Sequence, residues 1–235
     1  MNGERTIKIY ADGADLETIE RLAEDDLISG FTTNPSLARA AGVTDYRRFA
    51  SDVLVVADGK PVSLEVFADD PDGIRNQARI LSGFGDNAVI KVPVTNTRGD
   101  SMSEVVADLS SEGITVNVTA VFTRRQLGEI MDARRDDRYM IISVFAGRVA
   151  DTGIDPRGHL SGFAAATVLT AIDLLWASPR QIHDVVAAER AGCDIITLTP
   201  DLLGKLPLIG KDLDEYSLET VRMFYEDAQA AGYHL

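Results

Sequence analysis

Short runs rich in Ile, Val and Leu recur along the chain and end near Asp12, Thr33, Glu65, Lys91, Thr119, Phe145, Ser178 and Thr199, about 27 residues apart on average, with helix-like sequence between them. This rhythm is the strongest constraint on the fold, because a parallel strand pair needs a crossover of that length, usually a helix. Eight such units in 235 residues predict an α/β chain folded as one closed (β/α)8 (TIM) barrel, a single domain over residues 1–235. A doubly wound sheet is the competing architecture. It would normally carry a Gly-rich phosphate loop after its first strand, and Asp12-Gly13-Ala14-Asp15 is not one.

Strand parity favours the barrel. In the third run Val62, Leu64 and Val66 alternate with Ser63 and Glu65; in the fifth, Ile114, Val116, Val118 and Ala120 alternate with Thr115, Asn117 and Thr119; in the sixth, Met140, Ile142 and Val144 alternate with Ile141, Ser143 and Phe145. One face of each run is aliphatic, and the other grows polar toward its C-terminal end. In a barrel the aliphatic face packs on helices while the polar face points inside, toward the end where active sites form. The interior would then collect Asp12, Glu65, Lys91, Asn117, Thr119 and Ser143. Each could be a satisfied core polar group, but six at one mouth is a heavy load for structure alone, since every one needs a partner.

Lys91 lies in NAVIKVPVT, where Ala88, Ile90, Val92 and Val94 share one parity and Val89, Lys91 and Pro93 the other. A buried ammonium is costly unless paired or deprotonated, and a neutral amine is a good nucleophile. The functional reading is a Schiff-base lysine. The structural reading is a lysine that snorkels to the strand end or joins an ion pair.

Helices are predicted over Asp15–Glu24, Asp45–Ala57, from Asp70-Pro71 onward, Ser101–Ser111, Pro156–Thr170 and Arg180–Ala191. Residues 212–235 add a C-terminal helical extension beyond the eight units, with Gly232 as its stop signal. The net charge of −14 argues against a nucleic-acid or anionic-membrane surface. The N-terminal stretch MNGERTIKIYADG has no long apolar run, no segment is apolar enough to span a bilayer, and a cytoplasmic protein is expected. Cys193 is the only cysteine, so an internal disulfide is impossible, and His159, His183 and His234 lack ligand spacing; no metal and no cofactor are expected. Arg98-Gly99-Asp100 is a chance tripeptide in this context.

With these positions fixed, Gly30-Phe31-Thr32-Thr33-Asn34-Pro35-Ser36-Leu37, Val89-Ile90-Lys91-Val92-Pro93, Gly113-Ile114-Thr115-Val116-Asn117-Val118-Thr119 and Ser143-Val144-Phe145-Ala146-Gly147-Arg148 resemble the transaldolase family, in particular its short, barrel-only members, fructose-6-phosphate aldolases among them. The resemblance implies that Lys91 forms a Schiff base with a ketose phosphate. Asp12 would be the acid/base, and Glu65 and Thr119 would hold a catalytic water. Thr33, Asn34, Asn117, Ser143 and Phe145 would form the substrate-binding set, with Asn34, Asn117 and Ser143 on the hydroxyls of the three-carbon unit. Arg148, Ser178 and Arg180 would take the phosphate. The family's short members also imply a homo-oligomer, commonly a decamer, often using the C-terminal helix.

The resemblance implies a transaldolase moving a dihydroxyacetone unit from fructose 6-phosphate or sedoheptulose 7-phosphate to an aldose phosphate in the pentose phosphate pathway. An aldolase releasing free dihydroxyacetone is the nearest rival; such relatives tend to carry glutamine in place of Glu65 and tyrosine in place of Phe145. A specialised transaldolase making an octulose phosphate, or a barrel without catalysis serving as a scaffold, would be further alternatives. Pro179, Gly13 and a bulky Trp176 expected near the mouth depart from the family pattern and bear on the acceptor.

Overall fold

The computed structural model describes residues 7–234; the reading of the N-terminal stretch, and the ends of the 1–235 span, extend outside the described residues. Eight parallel strands, β1 (Lys8–Asp12), β2 (Ile28–Thr32), β3 (Val62–Glu65), β4 (Ala88–Pro93), β5 (Val116–Val121), β6 (Met140–Val144), β7 (Ile172–Trp176) and β8 (Ile195–Leu198), pair in sequence order and close β8 onto β1. The chain is a (β/α)8 barrel, as the strand rhythm predicts.

Helices α1 (Leu16–Ala23), α2 (Pro35–Ala40), α3 (Tyr46–Val56), α4 (Pro71–Ser82), α5 (Ser103–Ser111), α6 (Arg124–Ala133), α7 (Ala146–Asp151), α8 (Pro156–Thr167), α9 (His183–Ala191), α10 (Pro200–Leu203) and α11 (Leu213–Ala231) fill the connections. Local chemistry sets their starts. Asp15, Asp45 and Asp70 each accept a backbone N–H two or three residues into the helix they cap, and Pro71 occupies the first turn of α4. Gly232 ends α11 in the left-handed region, at φ 66°. Helix α8 stops at Thr167, short of the predicted Thr170.

Side-chain parity divides the core in two. Val62, Leu64, Ile90, Val92, Val116, Val118, Ile142 and Val144 face outward and pack on helix residues such as Ile74, Val105 and Leu109. Tyr10, Val89, Ile141, Leu175 and Ile195 form a separate apolar cluster inside the barrel, with Phe145 against it. This floor closes the lower barrel and leaves the polar residues above it. Gly30 is part of the floor's geometry: a Cβ there would stand 2.6 Å from Tyr10 Cζ, so the bare backbone makes room for the ring. Burial, followed by Asp173 nearby, pushes the Tyr10 phenol up to about 12, so it stays neutral.

Two expectations are corrected here. Trp176 is 1% exposed and belongs to the outer, helix-facing cluster, because Ile172, Leu174 and Trp176 share the outward parity of β7. It is not at the mouth. Ala120 leaves the aliphatic face of β5: the pairing with β6 shifts between Val118 and Val121, Ala120 takes φ 58°, and it lines the interior cavity.

Gly30→Ala is expected to destabilise the barrel by about 1–3 kcal/mol through overpacking against Tyr10, with part of the loss recovered when Tyr10 is shortened to Val. Urea unfolding of the single and double variants checks this.

Candidate active site

Lys91 sits one strand over from Glu65 in direct register, and Asn117 is its neighbour on the other side. Laterally paired residues share a face of the sheet, so all three project into the barrel above the apolar floor. Lys91 Nζ lies 3.2 Å from Glu65 Oε2 and donates to the Thr33 carbonyl at 2.8 Å. The lysine is 6% exposed, so it does not snorkel into solvent. The end of β3 that carries this carboxylate is anchored through its backbone: the Glu65 N–H donates to Tyr46 Oη at 3.2 Å, and the Tyr46 ring packs edge-on against Phe67 at 4.5 Å.

Asp12 ends β1 across the mouth. Thr32 Oγ1 donates to Asp12 Oδ1 at 2.7 Å and stands 2.6 Å from Thr197 Oγ1, forming a short hydroxyl chain from β8 to the carboxylate. Burial pushes the Asp12 carboxyl above its ordinary value, against the pull of the Thr32 hydrogen bond and of Lys91. Such a carboxyl is suited to carrying a proton. Thr119 Oγ1 is buried without a hydrogen-bond partner among the described residues while the residue lines the cavity, a hydroxyl left available to a bound group.

Around these groups lies a cavity of about 520 Å³ reached by Asp12, Glu65, Lys91, Thr119 and Ser143 from the strands, by Asn34, Phe145, Ser178 and Arg180 from the loops, and by Arg148 from α7. Ten of the sequence-derived site residues thus share one space. Thr33 and Asn117 do not line it. The Thr33 hydroxyl donates to the Ser63 carbonyl at 2.9 Å, and its contribution is the backbone oxygen that holds Lys91. Asn117 lies one layer down, donating to Ser63 Oγ at 3.0 Å and accepting from Ser143 Oγ at 2.7 Å, so it orients Ser143. Asn34 spends its side-chain oxygen on the Leu37 N–H as the cap of α2 while still lining the cavity.

The cationic end differs from the expectation in one respect. Arg148 stands over the Phe145 ring at 5.4 Å, whereas Arg180 is not a free cation: its Nε and Nη2 both bond Asp151, Nε at 3.1 Å. Sequence reading also passed over Thr32, Ser36, Thr197 and Thr199, all of which line the cavity. Thr32 and Ser36 lie inside the quoted Gly30–Leu37 segment; the alternation of Thr197 and Thr199 with Leu198 is the available signal for the other two. Gly13 lies beside Asp12 with open space where a Cβ would go.

The family model described as Transaldolase/Fructose-6-phosphate aldolase matches residues 9–235. The chain belongs to this family. Among curated relatives, proteins named "probable transaldolase" share 33% identity over 217 residues in Methanococcus maripaludis (strain C7), covering 89% of this chain and 95% of the relative, and 34% over 229 residues in Nitrosopumilus maritimus, covering 95% and 97%. Solved structures give the same fold at far lower identity. A crystal structure of 2,3-dimethylmalate lyase superposes with a TM-score of 0.58 at 14% identity over 97% of this chain and 85% of its own, and thiamine phosphate pyrophosphorylase from Pyrococcus furiosus with 0.55 at 10% over 83% and 86%. Those two show only the barrel. Among the described residues of this transaldolase/aldolase-family chain, no group of His, Cys, Asp and Glu is arranged to hold a metal, and no helix is long and apolar enough to cross a membrane.

The raised Asp12 pKa has a sign that stability measurements can read. A folded carboxyl that ionises above the unfolded value of 3.8 makes folding take up a proton, so its contribution is fully present below that value and is lost as pH rises through the folded pKa. Asp12→Asn, which keeps an acceptor for Thr32, is therefore expected to be more stable than the parent near pH 8 and to lose that advantage at about pH 3.5. Urea midpoints at the two pH values test this.

Proposed function

We propose that this protein is a transaldolase that transfers a dihydroxyacetone unit from a ketose phosphate, fructose 6-phosphate or sedoheptulose 7-phosphate, to an aldose phosphate through a Schiff base on Lys91. The observation that carries the reading is the lysine itself: a buried amine inside a polar cavity, beside a carboxylate, an unpartnered threonine hydroxyl and a carboxyl of raised pKa.

The chemistry follows from the geometry. The Lys91 amine attacks the C2 carbonyl of the ketose, and loss of water gives a protonated imine. Glu65, beside the amine, and Thr119, on the same cavity wall, would hold the water that moves protons during that exchange. The imine draws electrons from the C3–C4 bond, and Asp12 accepts the C4 hydroxyl proton as the bond breaks. The aldose phosphate leaves, and the three-carbon unit remains as an enamine. Attack of the enamine on the acceptor aldehyde takes the proton back from Asp12 and leaves the new ketose as an imine, which water hydrolyses to free the product and the Lys91 amine. Ser143, oriented by Asn117, and Asn34 supply hydroxyl contacts to the retained unit, while Arg148, Ser178 and Arg180 offer the phosphate donors at the rim.

Glu65 and Phe145 favour transfer over release of free dihydroxyacetone, since the family's aldolases tend to carry glutamine and tyrosine there. Incubation with fructose 6-phosphate, with and without erythrose 4-phosphate, tests the reading. Acceptor-dependent formation of sedoheptulose 7-phosphate is the expected result; free dihydroxyacetone without acceptor would favour the aldolase. Asp12→Ala is expected to lower kcat by about 10²–10⁴-fold.

The protein is also proposed to be a homo-oligomer. Helix α11 has 19 residues, none buried, and exposes Leu213, Val221, Met223, Phe224 and Tyr225. An apolar side left this exposed has a second copy as its natural cover. Sedimentation is expected to give a multiple of 25.4 kDa, falling when residues 212–235 are removed; a full-length monomer would contradict it.

A further inference from the structure

Arg180 reaches the cavity rim from the loop after β7, and its guanidinium is turned by a residue that does not line the cavity. Asp151, the last residue of α7, bonds Nε and Nη2 together, which fixes the plane of the guanidinium rather than only its position. Nη1 has no bond within the described residues. The edge of the fork away from Asp151 is the part left to a ligand.

The backbone around this pair is built for close approach. Ser178 takes φ 58°, and its carbonyl presses on Gly147 at the start of α7: a Cβ on Gly147 would lie 1.6 Å from Ser178 O. Only glycine allows the β7 loop to sit there. The same built Cβ would lie 3.5 Å from Arg180 Cγ, so the arginine stem lies along the first turn of α7. At the other end, Asp184 accepts the Arg180 N–H at 2.6 Å and the Gln181 N–H at 3.2 Å, anchoring the loop to the start of α9.

Charge explains why a carboxylate is needed. Arg148 and Asp151 are three residues apart on α7, on one face, and the carboxylate feels both Arg148 and Arg180. Two guanidiniums over one rim repel each other, and Asp151 offsets that repulsion. Its pKa is held down first by the Arg180 hydrogen bond, so it stays ionised in this role.

We propose that Asp151 is a positioning residue for phosphate recognition: it presents the open edge of Arg180 to the phosphate of the ketose beside Arg148, without touching substrate itself. The inference rests on the phosphate reading of Arg148, Ser178 and Arg180 above. The pair is about half exposed on both sides, and such pairs add little to fold stability. Its effect belongs in binding.

The test measures how borohydride-trapped adduct depends on ketose concentration, with fructose 6-phosphate and, as a probe without phosphate, dihydroxyacetone. Asp151→Asn is expected to raise half-saturation for fructose 6-phosphate by about tenfold, a loss of order one charge-assisted contact, with dihydroxyacetone unaffected and the melting temperature nearly unchanged. Asp151→Glu, which restores the charge, is expected to recover part of the loss and serves if the asparagine variant folds poorly. In an Arg180→Ala background Asp151→Asn should add nothing. Half-saturation that is unchanged or lower in Asp151→Asn, while Arg180→Ala raises it, would overturn the positioning role alone. An Arg180→Ala variant with unchanged half-saturation for fructose 6-phosphate would overturn the phosphate reading and the role of Asp151 with it.

Discussion

The site depends on one interaction, the contact between the Lys91 ammonium and the Glu65 carboxylate inside the barrel. At 3.2 Å and an effective dielectric of about 20, their attraction is on the order of 5 kcal/mol, comparable to the several kcal/mol needed to desolvate each ion. The balance is close, and the Thr33 carbonyl, which accepts from the Lys91 ammonium at 2.8 Å, helps to decide it. The lysine is thereby held inside without being locked away. One carboxylate and one carbonyl leave room on the amine for a third neighbour.

The rest of the barrel keeps that arrangement in place. An apolar floor led by Tyr10, Ile141 and Leu175 shuts the lower interior, so the polar groups above it face only the open end. A middle layer, Ser63–Asn117–Ser143, ties β3, β5 and β6 together by side-chain hydrogen bonds and turns Ser143 into the cavity. On the other side Thr197 and Thr32 do the same for Asp12. Charged groups therefore enter from opposite walls, the lysine from β4 and the acid from β1. Of the three non-glycine residues in left-handed backbone among the described residues, Asp58, Ala120 and Ser178, the last two lie on the cavity wall, where ordinary strand geometry would direct the chain elsewhere.

Much of this was legible in the sequence because a barrel strand writes its two faces in alternation. The parity of β3, β4, β5 and β6 located Glu65, Lys91, Asn117, Thr119 and Ser143 inside, and the strand spacing closed the sheet. Parity has no information on depth, so it could not separate Asn117, which supports Ser143, from Thr119, which faces the cavity. It also failed where the strand stopped being regular: Ala120 sits in a bulge, and Trp176 was read from its nearness to the strand end rather than from its face. Arg180 follows from the family resemblance, but its partner is 29 positions away on a short helix that periodicity does not reveal. Thr33 entered as a side chain and acts through its carbonyl, which residue type cannot announce.

The most direct test of the account is to reduce the protein with borohydride in the presence of fructose 6-phosphate and map the modified peptide by mass spectrometry. The account predicts a single three- or six-carbon adduct on the Nζ of Lys91, absent from Lys91→Ala. An adduct on another lysine, or substrate-dependent labelling that survives in Lys91→Ala, would contradict it.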